Sequence, residues 1–490
     1  MLGDQLNRKV GALAAAVAQR DRILMIESRS KLASKRWHQQ RAHFIITAMR
    51  RFAEELRADG FDVDYVYATS FGAGIRKHRY EFAPSRIVAM EPASFVARDR
   101  AQSLDIETVE CDQFLTTRQQ FAAFALGRKH LKMEDFYRWQ RRRLGYLMDG
   151  DQPAGGRWNF DDENRHGPPK HDRDRWAAPL RDPLDDVDRA VLSDIGDSCW
   201  GAAPTGVWAT NRTGALRRLD HFITQLLPIF GPHEDAMLTG NWHLAHSLLS
   251  PYLNVGLLLP GEVCDAAEAA YRRGDASIAS VEGFIRQIIG WREYVNGLYW
   301  LWGPDYRSVN ELRATRPLPP LFTGAPTNMR CVATALSTLH DHSYTHHIQR
   351  LMVLGNLAML AGVKPLELND WMWAGYIDGA EWVMLPNVLG MSQYADGGRM
   401  STKPYAAGGA YINKMSDHCN GCHYNRSERV GPTACPYTTL YWDFLDRHSE
   451  QFARNPRLAQ QVRAAQRLND LASVRERATE VLTALDRGEL

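Results

Sequence analysis

The 490-residue chain lacks several motifs that would assign a function at once. It has no GxxxxGK[ST] phosphate-binding loop, no GxSxG nucleophile elbow and no HExxH zinc motif, which excludes the common kinase and hydrolase classes. The net charge is only +2, so any contact with nucleic acid must come from a local basic patch. No apolar run reaches membrane-spanning length, because Pro251 and Asn254 interrupt Leu248–Leu259. We therefore expect no association with a membrane.

A disulfide framework and a secretory signal are also missing. The seven cysteines are odd in number, and their spacing does not suit paired bridges. The chain does not open with a charged segment followed by an apolar one. These absences predict a cytoplasmic protein.

Four of the cysteines nevertheless form a pattern: Cys331, the CxxC pair Cys419 and Cys422, and Cys435 directly before a proline. Four thiolates, one of them distant in sequence, suit an iron–sulfur cluster. A structural zinc site suits the same spacing, and His418 or His423 can replace a thiolate there. The residues alone predict a metal centre and leave iron and zinc open.

The hydrophobic pattern divides the chain into two kinds of structure. Strand-like segments at Arg22–Glu27, Val63–Tyr67, Arg86–Met90 and Thr108–Glu110 alternate with helical ones such as His43–Leu56. This alternation predicts an α/β N-terminal domain with a parallel, Rossmann-like sheet over residues 1–125. A basic helix and a polar interdomain linker follow over 126–184, and helical periodicity dominates 185–490, which predicts a large all-α domain.

Several helical segments carry residues suited to chemistry. Val281–Trp302 mixes arginine and glutamate with aromatics, which suits either a ligand wall or an ion-paired surface. His340–Leu360 opens with four histidines, and the adjacent His346 and His347 at a helix start favour acid–base work. Gly355 indicates close helix packing or a ligand near the backbone.

Seven short segments together resemble the photolyase/cryptochrome superfamily, specifically its bacterial iron–sulfur branch, which includes prokaryotic (6-4) photolyases. They are GDQL at Gly3–Leu6, MEDFYRWQRRRLGYLM at Met133–Met148, GGRWNFDDENR at Gly155–Arg165, HSLLSPYLN at His246–Asn254, WREY at Trp291–Tyr294, THHIQRLM at Thr345–Met352 and LPN at Leu385–Asn387. The resemblance covers nearly the whole chain, and the four cysteines match the branch as well.

The resemblance implies an antenna-type α/β domain, a linker and a helical catalytic domain that holds FAD. It implies flavin contacts from one set of residues: His246, Ser247, Leu248, Leu249, Ser250, Tyr252, Asn254, Gln287, Arg292, Asn356, Asp378 and Met384. It also implies that Cys331, Cys419, Cys422 and Cys435 hold a [4Fe–4S] cluster.

The activity implied by the resemblance is DNA repair driven by blue light. Reduced FAD gives an electron to a (6-4) pyrimidine–pyrimidone lesion flipped out of UV-damaged DNA, double- or single-stranded. Repair also needs a proton, for which His347 is the expected donor with His346 orienting it. Glu293 and Tyr405 would contact the lesion, and Trp371 would pass electrons to the flavin. A monomer is expected.

Some positions depart from the family pattern. Met372 and Phe322 replace aromatics of the electron chain, which leaves Trp373 as another route, and Met384 stands where an acid is usual near the flavin. Lys31 and Ser34 stand where a 6,7-dimethyl-8-ribityllumazine antenna would meet an acid and a tyrosine, so antenna binding stays open. The changes around the flavin favour an alternative, a cryptochrome-type photoreceptor with the same cofactors. Without the resemblance, a zinc-stabilised nucleic-acid binder also fits.

Overall fold

The computed structural model describes the whole chain, Met1–Leu490, and alternates strands and helices in its first third. The strands are β1 (Arg22–Ser28), β2 (Asp62–Ala68), β3 (Val88–Met90) and β4 (Glu107–Val109). The helices are α1 (Gly11–Ala14), α2 (Arg29–Leu32), α3 (Gln39–Ala58), α4 (Phe71–Phe82), α5 (Phe95–Ser103), α6 (Arg118–Ala125) and α7 (Met133–Leu144). The predicted strands and the predicted helix at His43–Leu56 are present, with limits shifted by a few residues.

The strands pair in parallel, but they do not form the single sheet that the pattern predicted. β1 pairs with β2, with Arg22 opposite Asp62, and β3 pairs with β4, with Val88 opposite Glu107. The two pairs share no strand neighbour, because no strand lies between β1 and β3. A short antiparallel hairpin, β5 (Met148–Asp149) and β6 (Gln152–Pro153), opens the linker.

The rest of the chain is helical, as predicted. The helices are α8 (Asp186–Ile195), α9 (Arg212–His221), α10 (Ser250–Val255), α11 (Pro260–Arg273), α12 (Ile278–Ile285), α13 (Glu293–Trp302), α14 (Arg330–His342), α15 (Asn356–Ala361), α16 (Pro365–Gly375), α17 (Glu381–Leu385), α18 (Gly409–Met415), α19 (Pro436–Arg447), α20 (Ser449–Phe452), α21 (Ala459–Gln466) and α22 (Leu471–Arg487). No helix is both long enough and apolar enough to cross a bilayer.

Four π-helical turns interrupt this helical region, at Phe222–Leu226, Arg286–Arg292, Gln349–Gly355 and Pro386–Ser392. Two of them lie in segments that the sequence predicted as uninterrupted helices. π-Helical turns are rare in proteins overall, and those that occur are often at functional sites.

The histidine-rich segment is divided by a helix end. His340 and His342 lie in the last turn of α14, which ends at Ser343 with φ 56°. His346 and His347 come after this break and lead into the next helical segment. The four histidines therefore belong to two different structural settings.

One hydrophobic core crosses the predicted domain boundary. It joins Met25 of β1 and Phe44 of α3 to Phe222, Phe284 and other residues of the helical region. The linker contributes too, through Leu147, Ala154 and Trp176. The boundaries at 125 and 184 remain a prediction.

Gly355 confirms the predicted close packing between helices. A Cβ atom at this position would lie 2.1 Å from Ser392 Oγ and 2.8 Å from the Arg350 carbonyl oxygen. Only glycine lets the two π segments approach so closely.

Gly355→Ala should therefore destabilise the protein by about 1–3 kcal/mol through overpacking. The measurement is urea unfolding followed by circular dichroism. Ser392→Ala in the same chain should restore part of the loss, because it removes the nearest atom. Gly261→Ala on α11 is the matched control, since its nearest atoms would lie 3.9 Å away. Equal midpoints for Gly355→Ala and wild type would contradict the packing argument.

Candidate active site

A buried ion pair lies at the centre of the predicted site. The Arg350 guanidinium donates from Nη1 to Asp378 Oδ1 at 2.9 Å and from Nε to the Thr345 carbonyl at 2.7 Å. Ser250 Oγ donates to the other carboxylate oxygen of Asp378 at 2.7 Å. Both oxygens of this carboxylate are therefore held, one by a cation and one by a hydroxyl.

Helix α10 supplies two of the predicted cofactor residues from one face. Ser250 and Asn254 are four residues apart, and Asn254 Nδ2 donates to the Asp378 carbonyl at 2.8 Å. The structure thus brings Ser250, Asn254 and Asp378 together, as the resemblance implied. Arg350 completes the group, although the sequence analysis did not single it out.

The loop before α10 has an unusual backbone. Leu244 and Leu248 have φ angles of 46° and 55°, in the left-handed region that bulky residues rarely adopt. Strain of this kind costs about 1–3 kcal/mol per residue and clusters at functional sites. The predicted flavin residues His246–Leu249 lie within this loop.

Two histidines stack beside the ion pair. The rings of His246 and His346 are nearly parallel at 12°, with centroids 4.5 Å apart. His346 is fully buried, while His347 beside it is exposed to solvent. The buried atoms His246 Nε2 and His346 Nδ1 have no hydrogen-bond partner. Orphaned buried atoms of this kind often mark sites that bind a ligand.

All three histidines are neutral at neutral pH, His246 and His346 mainly because they are buried. Desolvation, followed by the neighbouring His347, lowers the pKa of His246 to about 3. Desolvation also lowers the pKa of His346 well below its usual range. The ring of His347 meets solvent, but surrounding protein and then Arg350 and Arg165 lower its pKa to about 4. A positive imidazolium is thus disfavoured next to Arg350.

A second charged group lies near Tyr405, on the linker side. The Arg165 Nη2 lies 3.0 Å from Asp161 Oδ2, and the Arg165 Nε lies 3.7 Å from Glu234 Oε1. Burial and then Asp235 raise the pKa of Glu234 to about 7. The half-buried Tyr405 has its pKa raised by burial, with Arg165 acting against that shift. The sequence analysis did not identify Arg165 or Glu234.

Three other predicted residues form hydrogen bonds with the protein itself. Glu293 is 1% exposed, and its carboxylate accepts the Thr116 N–H at 2.8 Å. Arg292 donates to the Leu253 carbonyl at 3.1 Å and thereby ties its segment to α10. Gln287 is exposed and donates to the Gly283 carbonyl at 3.2 Å.

Three further predicted flavin residues are buried. Asn356 donates to the Ala407 carbonyl at 2.8 Å and accepts its N–H at 3.2 Å, so both amide atoms are engaged. The Tyr252 hydroxyl accepts the Ala209 N–H at 3.1 Å. Met384 is 5% exposed. The flavin and lesion roles of these six residues remain predictions.

Two tryptophans of α16, Trp371 and Trp373, pack against different neighbours. Trp371 lies 5.0 Å from Phe322 and 6.3 Å from Tyr376, ring centre to ring centre. Trp373 instead meets Trp37 at 6.2 Å, with the Lys35 ammonium 4.7 Å from its ring. A nearby cation opposes the positive charge of an oxidised tryptophan. Oxidation of the Trp373 ring is therefore disfavoured by Lys35.

The four cysteines predicted as ligands converge in one region. Cys331 lies in the first turn of α14, Cys435 caps α19, and Cys419 and Cys422 lie on the loop between. Burial and then the other three thiols raise the pKa of Cys331 well above its usual range.

The local backbone suits this convergence. The Tyr437 and Thr438 N–H groups favour the Cys435 thiolate, although burial raises its pKa overall. Gly421 has φ 75°, and Arg330 donates to the carbonyl of Asn420 beside it, which holds the CxxC loop against α14. No group of three or more His, Cys, Asp or Glu side chains is arranged to hold a single metal ion.

Comparison with known proteins identifies the family of this chain. A family model described as deoxyribodipyrimidine photo-lyase-related protein matches residues 1–202. A (6-4) photolyase of Agrobacterium fabrum (strain C58) is 42% identical over 503 residues, covering 99% of this chain and 99% of that protein. The chain belongs to the bacterial photolyase-related family. The resemblance found in the sequence is therefore confirmed.

Two other matches describe the extent of this family likeness. The crystal structure of a bacterial class III photolyase from Agrobacterium tumefaciens covers 99% of this chain and 97% of its own, with a TM-score of 0.55 and 15% identity. This likeness shows a photolyase-like fold. The uncharacterized protein R855 of Acanthamoeba polyphaga mimivirus is 29% identical over 101 residues, 21% of this chain and 75% of that protein.

Asp378→Asn should destabilise the photolyase-related chain by about 3 kcal/mol, because it leaves the Arg350 cation without its counter-ion. The free energy of unfolding in urea measures this loss. The control is Asp486→Asn in the Arg316–Asp486 pair, whose side chains are 30% and 42% exposed. That change should cost less than about 1 kcal/mol. Similar losses for the two variants would show that the Arg350–Asp378 pair is no stronger than a surface pair.

Proposed function

We propose that this protein is a light-driven DNA-repair enzyme that reverses (6-4) pyrimidine–pyrimidone photoproducts. The observation that carries the proposal is the full-length similarity to a (6-4) photolyase. The site supports it, because the His346–His347 pair lies beside the Arg350–Asp378 ion pair. UV-damaged DNA is the substrate that this proposal requires.

The residues around the ion pair suit FAD. The strained loop His246–Leu249, the polar face of Ser250 and Asn254, and Asp378 would hold it. The buried Gln349 Oε1 and His246 Nε2 lack partners and offer further contacts. When bound and reduced, FAD supplies the electron that light excitation makes available to the lesion.

His347 is the proposed proton donor. Its ring is the exposed member of the histidine pair, so a base flipped from the duplex can reach it. In the free protein its pKa of about 4 keeps it neutral, because the protein around the ring and then the Arg350 and Arg165 cations disfavour its protonated form. DNA phosphates near these arginines would offset their charge and raise the pKa of His347. Substrate binding would thereby prepare the donor.

His347→Ala should bind a thymine (6-4) oligonucleotide as wild type does but lose repair by about 10²-fold or more, the usual contribution of a general acid. Blue-light turnover of the oligonucleotide and its Kd are the two measurements. The matched control is His340→Ala, because the His340 ring is exposed at the end of α14 and forms one hydrogen bond, to Asp341 at 2.9 Å. Undiminished repair by His347→Ala would remove His347 from the mechanism.

A cryptochrome-type photoreceptor is the second candidate. It is favoured by the interruption of the oxidisable aromatics, since Phe322 packs against Trp371 and Met372 is buried next to it in sequence. The same oligonucleotide assay separates the two functions. Wild-type protein that binds FAD and absorbs blue light but repairs no lesion would favour signalling.

The four converging thiols suit a [4Fe–4S] cluster, which takes one thiolate per iron. Cys331, Cys419, Cys422 and Cys435 are the proposed ligands. Their neighbours are structural helices, so we propose that the cluster fixes α14 against the C-terminal helices.

Cys435→Ser should lose most of the bound iron and the broad visible absorption of a cluster. The physical reason is that a hydroxyl is a poor substitute for the fourth thiolate. Metal analysis of the purified protein, together with its absorption spectrum, makes the measurement. Cys199→Ser is the control, because Cys199 is half-buried and lies outside the group of four. Stoichiometric zinc in the wild-type protein would overturn the assignment.

A further inference from the structure

Arg165 of the linker combines a fixed backbone with a half-exposed side chain. On one side of it, Asn164 Nδ2 donates to the Ala279 carbonyl at 3.1 Å. On the other side, the His166 N–H donates to the Pro232 carbonyl at 2.8 Å. The Arg165 side chain itself is 50% exposed. Its guanidinium can therefore exchange one partner for another while the backbone stays in place.

This guanidinium faces three carboxylates. Its Nη2 lies 3.0 Å from Asp161, and its Nε lies 3.7 Å from Glu234 and 3.9 Å from Asp235. Asp161 has a second cation, because the buried Arg286 guanidinium donates to its other oxygen. Glu234 does not, since Arg165 is the one cation within 4.0 Å of its carboxylate. Glu234 thus depends on Arg165 for its counter-ion.

Glu234 is poorly placed to carry a charge without that partner. The side chain is 8% exposed, and its buried Oε2 atom has no hydrogen-bond partner. A Cβ atom at Gly283 of α12 would lie 3.3 Å from this oxygen, so the carboxyl group packs against that helix. Burial and then Asp235 raise the pKa of Glu234 to about 7. Its charged neighbours are Asp235 beside it, Asp161 and Arg165 of the linker, and Arg286, which also pairs with Glu282 of α12.

Arg165 also acts on residues that the proposed function places at the lesion. After the surrounding protein and Arg350, it is the third cause that lowers the pKa of His347. Burial raises the pKa of Tyr405, and Arg165 acts against that shift. A damaged strand that brings its base to His347 therefore brings its phosphates within reach of this half-exposed cation.

A phosphate is a stronger partner for this arginine than the carboxylates. Exposed arginine–carboxylate pairs contribute little to stability, whereas a guanidinium binds phosphate through two parallel hydrogen bonds. We propose that Arg165 leaves Glu234 for a phosphate of the damaged strand when lesion DNA binds, and that Glu234 then takes up a proton from solvent. This exchange rests on the proposed function, because that function brings DNA to the site. It leaves no uncompensated charge on the buried carboxyl group.

Calorimetric titration of the FAD-loaded chain with a thymine (6-4) oligonucleotide, in the dark, tests the exchange. Heats measured in two buffers of different ionisation enthalpy, both with EDTA and at about pH 7.5, give the protons taken up. Glu234→Gln should lower the uptake by about half a proton per DNA bound, because an amide does not titrate. His347→Ala is the control for the other titrating group and should keep this share. Equal uptake by Glu234→Gln and wild type would overturn the proposal.

A second measurement leaves Glu234 unchanged. In the His347→Ala chain, the uptake should fall at least about fivefold between pH 7.5 and pH 5.5, because Glu234 already holds its proton at the lower pH. An uptake that stays the same or rises would belong to another group and would contradict the proposal.

Arg165→Gln tests the phosphate contact. The dependence of log Kd on log salt should lose about one from its slope, and the Glu234 share of the uptake should vanish, because the cation that moves is gone. The matched control is Arg272→Gln on α11, since Arg272 is 41% exposed and also pairs with two carboxylates, Asp149 and Glu268. That variant should keep the wild-type slope and uptake. A wild-type slope for Arg165→Gln would rule out the phosphate contact.

Dark binding and repair under blue light are recorded separately, so the two proposals can fail independently. Uptake that depends on Glu234, in a chain that repairs no lesion, would support the proton exchange and contradict the repair function. Repair by a chain whose uptake does not depend on Glu234 would contradict the exchange alone.

Discussion

The ion pair between Arg350 and Asp378 joins the segments on which the rest of the site depends. The turn that carries Asp378 is held by α10 through Ser250 and Asn254 and by α3 through Arg41, which donates to the Tyr376 and Ile377 carbonyls at 3.1 and 3.0 Å. Desolvation disfavours the Arg350 cation, but Asp378 outweighs it and leaves its pKa raised. Buried pairs of this kind contribute little net stability and more to a unique arrangement. Here the arrangement brings distant segments of the chain to one point.

The histidines of the site are neutral mainly because the surrounding protein removes water from them. Burial of the His246 ring, followed by the neighbouring His347, disfavours its protonated form, and so the folded state binds no proton on His246 at neutral pH. Its pKa falls from 6.5 to about 3, so between these values the unfolded chain binds a proton that the folded chain does not. The free energy of unfolding therefore falls as the pH drops through this window. Acid lability is thus a cost of burying a histidine at this site.

Local patterns predicted much of this structure, and long-range contacts explain the rest. Alternating and helical hydrophobic periods identified β1, β2 and α3, and Gly355 was correctly associated with close packing. The division of the histidine cluster at Ser343 depends on the Ser343 hydroxyl, which donates to the Gly375 carbonyl at 2.7 Å, a contact that no local pattern reveals.

In the site, too, the residues that sequence analysis missed are those that depend on long-range contacts. The sequence analysis did not identify Arg350, because its role depends on Asp378, which lies 28 residues further along the chain. No local pattern shows that these two side chains pair. The separation of the two strand pairs could not be predicted either, since each strand has an ordinary β pattern and only the spatial order shows that the edges of β1 and β3 are open.

Helix α14 connects the cysteine region to the active site. It has 13 residues and so spans about 20 Å, with Cys331 in its first turn and His342 in its last. The His342 ring stacks on Trp242 with centroids 4.2 Å apart, which fixes that end of the helix. The next residue, Ser343, accepts the Ile377 N–H at 2.7 Å and so holds the turn that carries Asp378. One continuous helix thus links the region of the four thiols to the turn that carries Asp378.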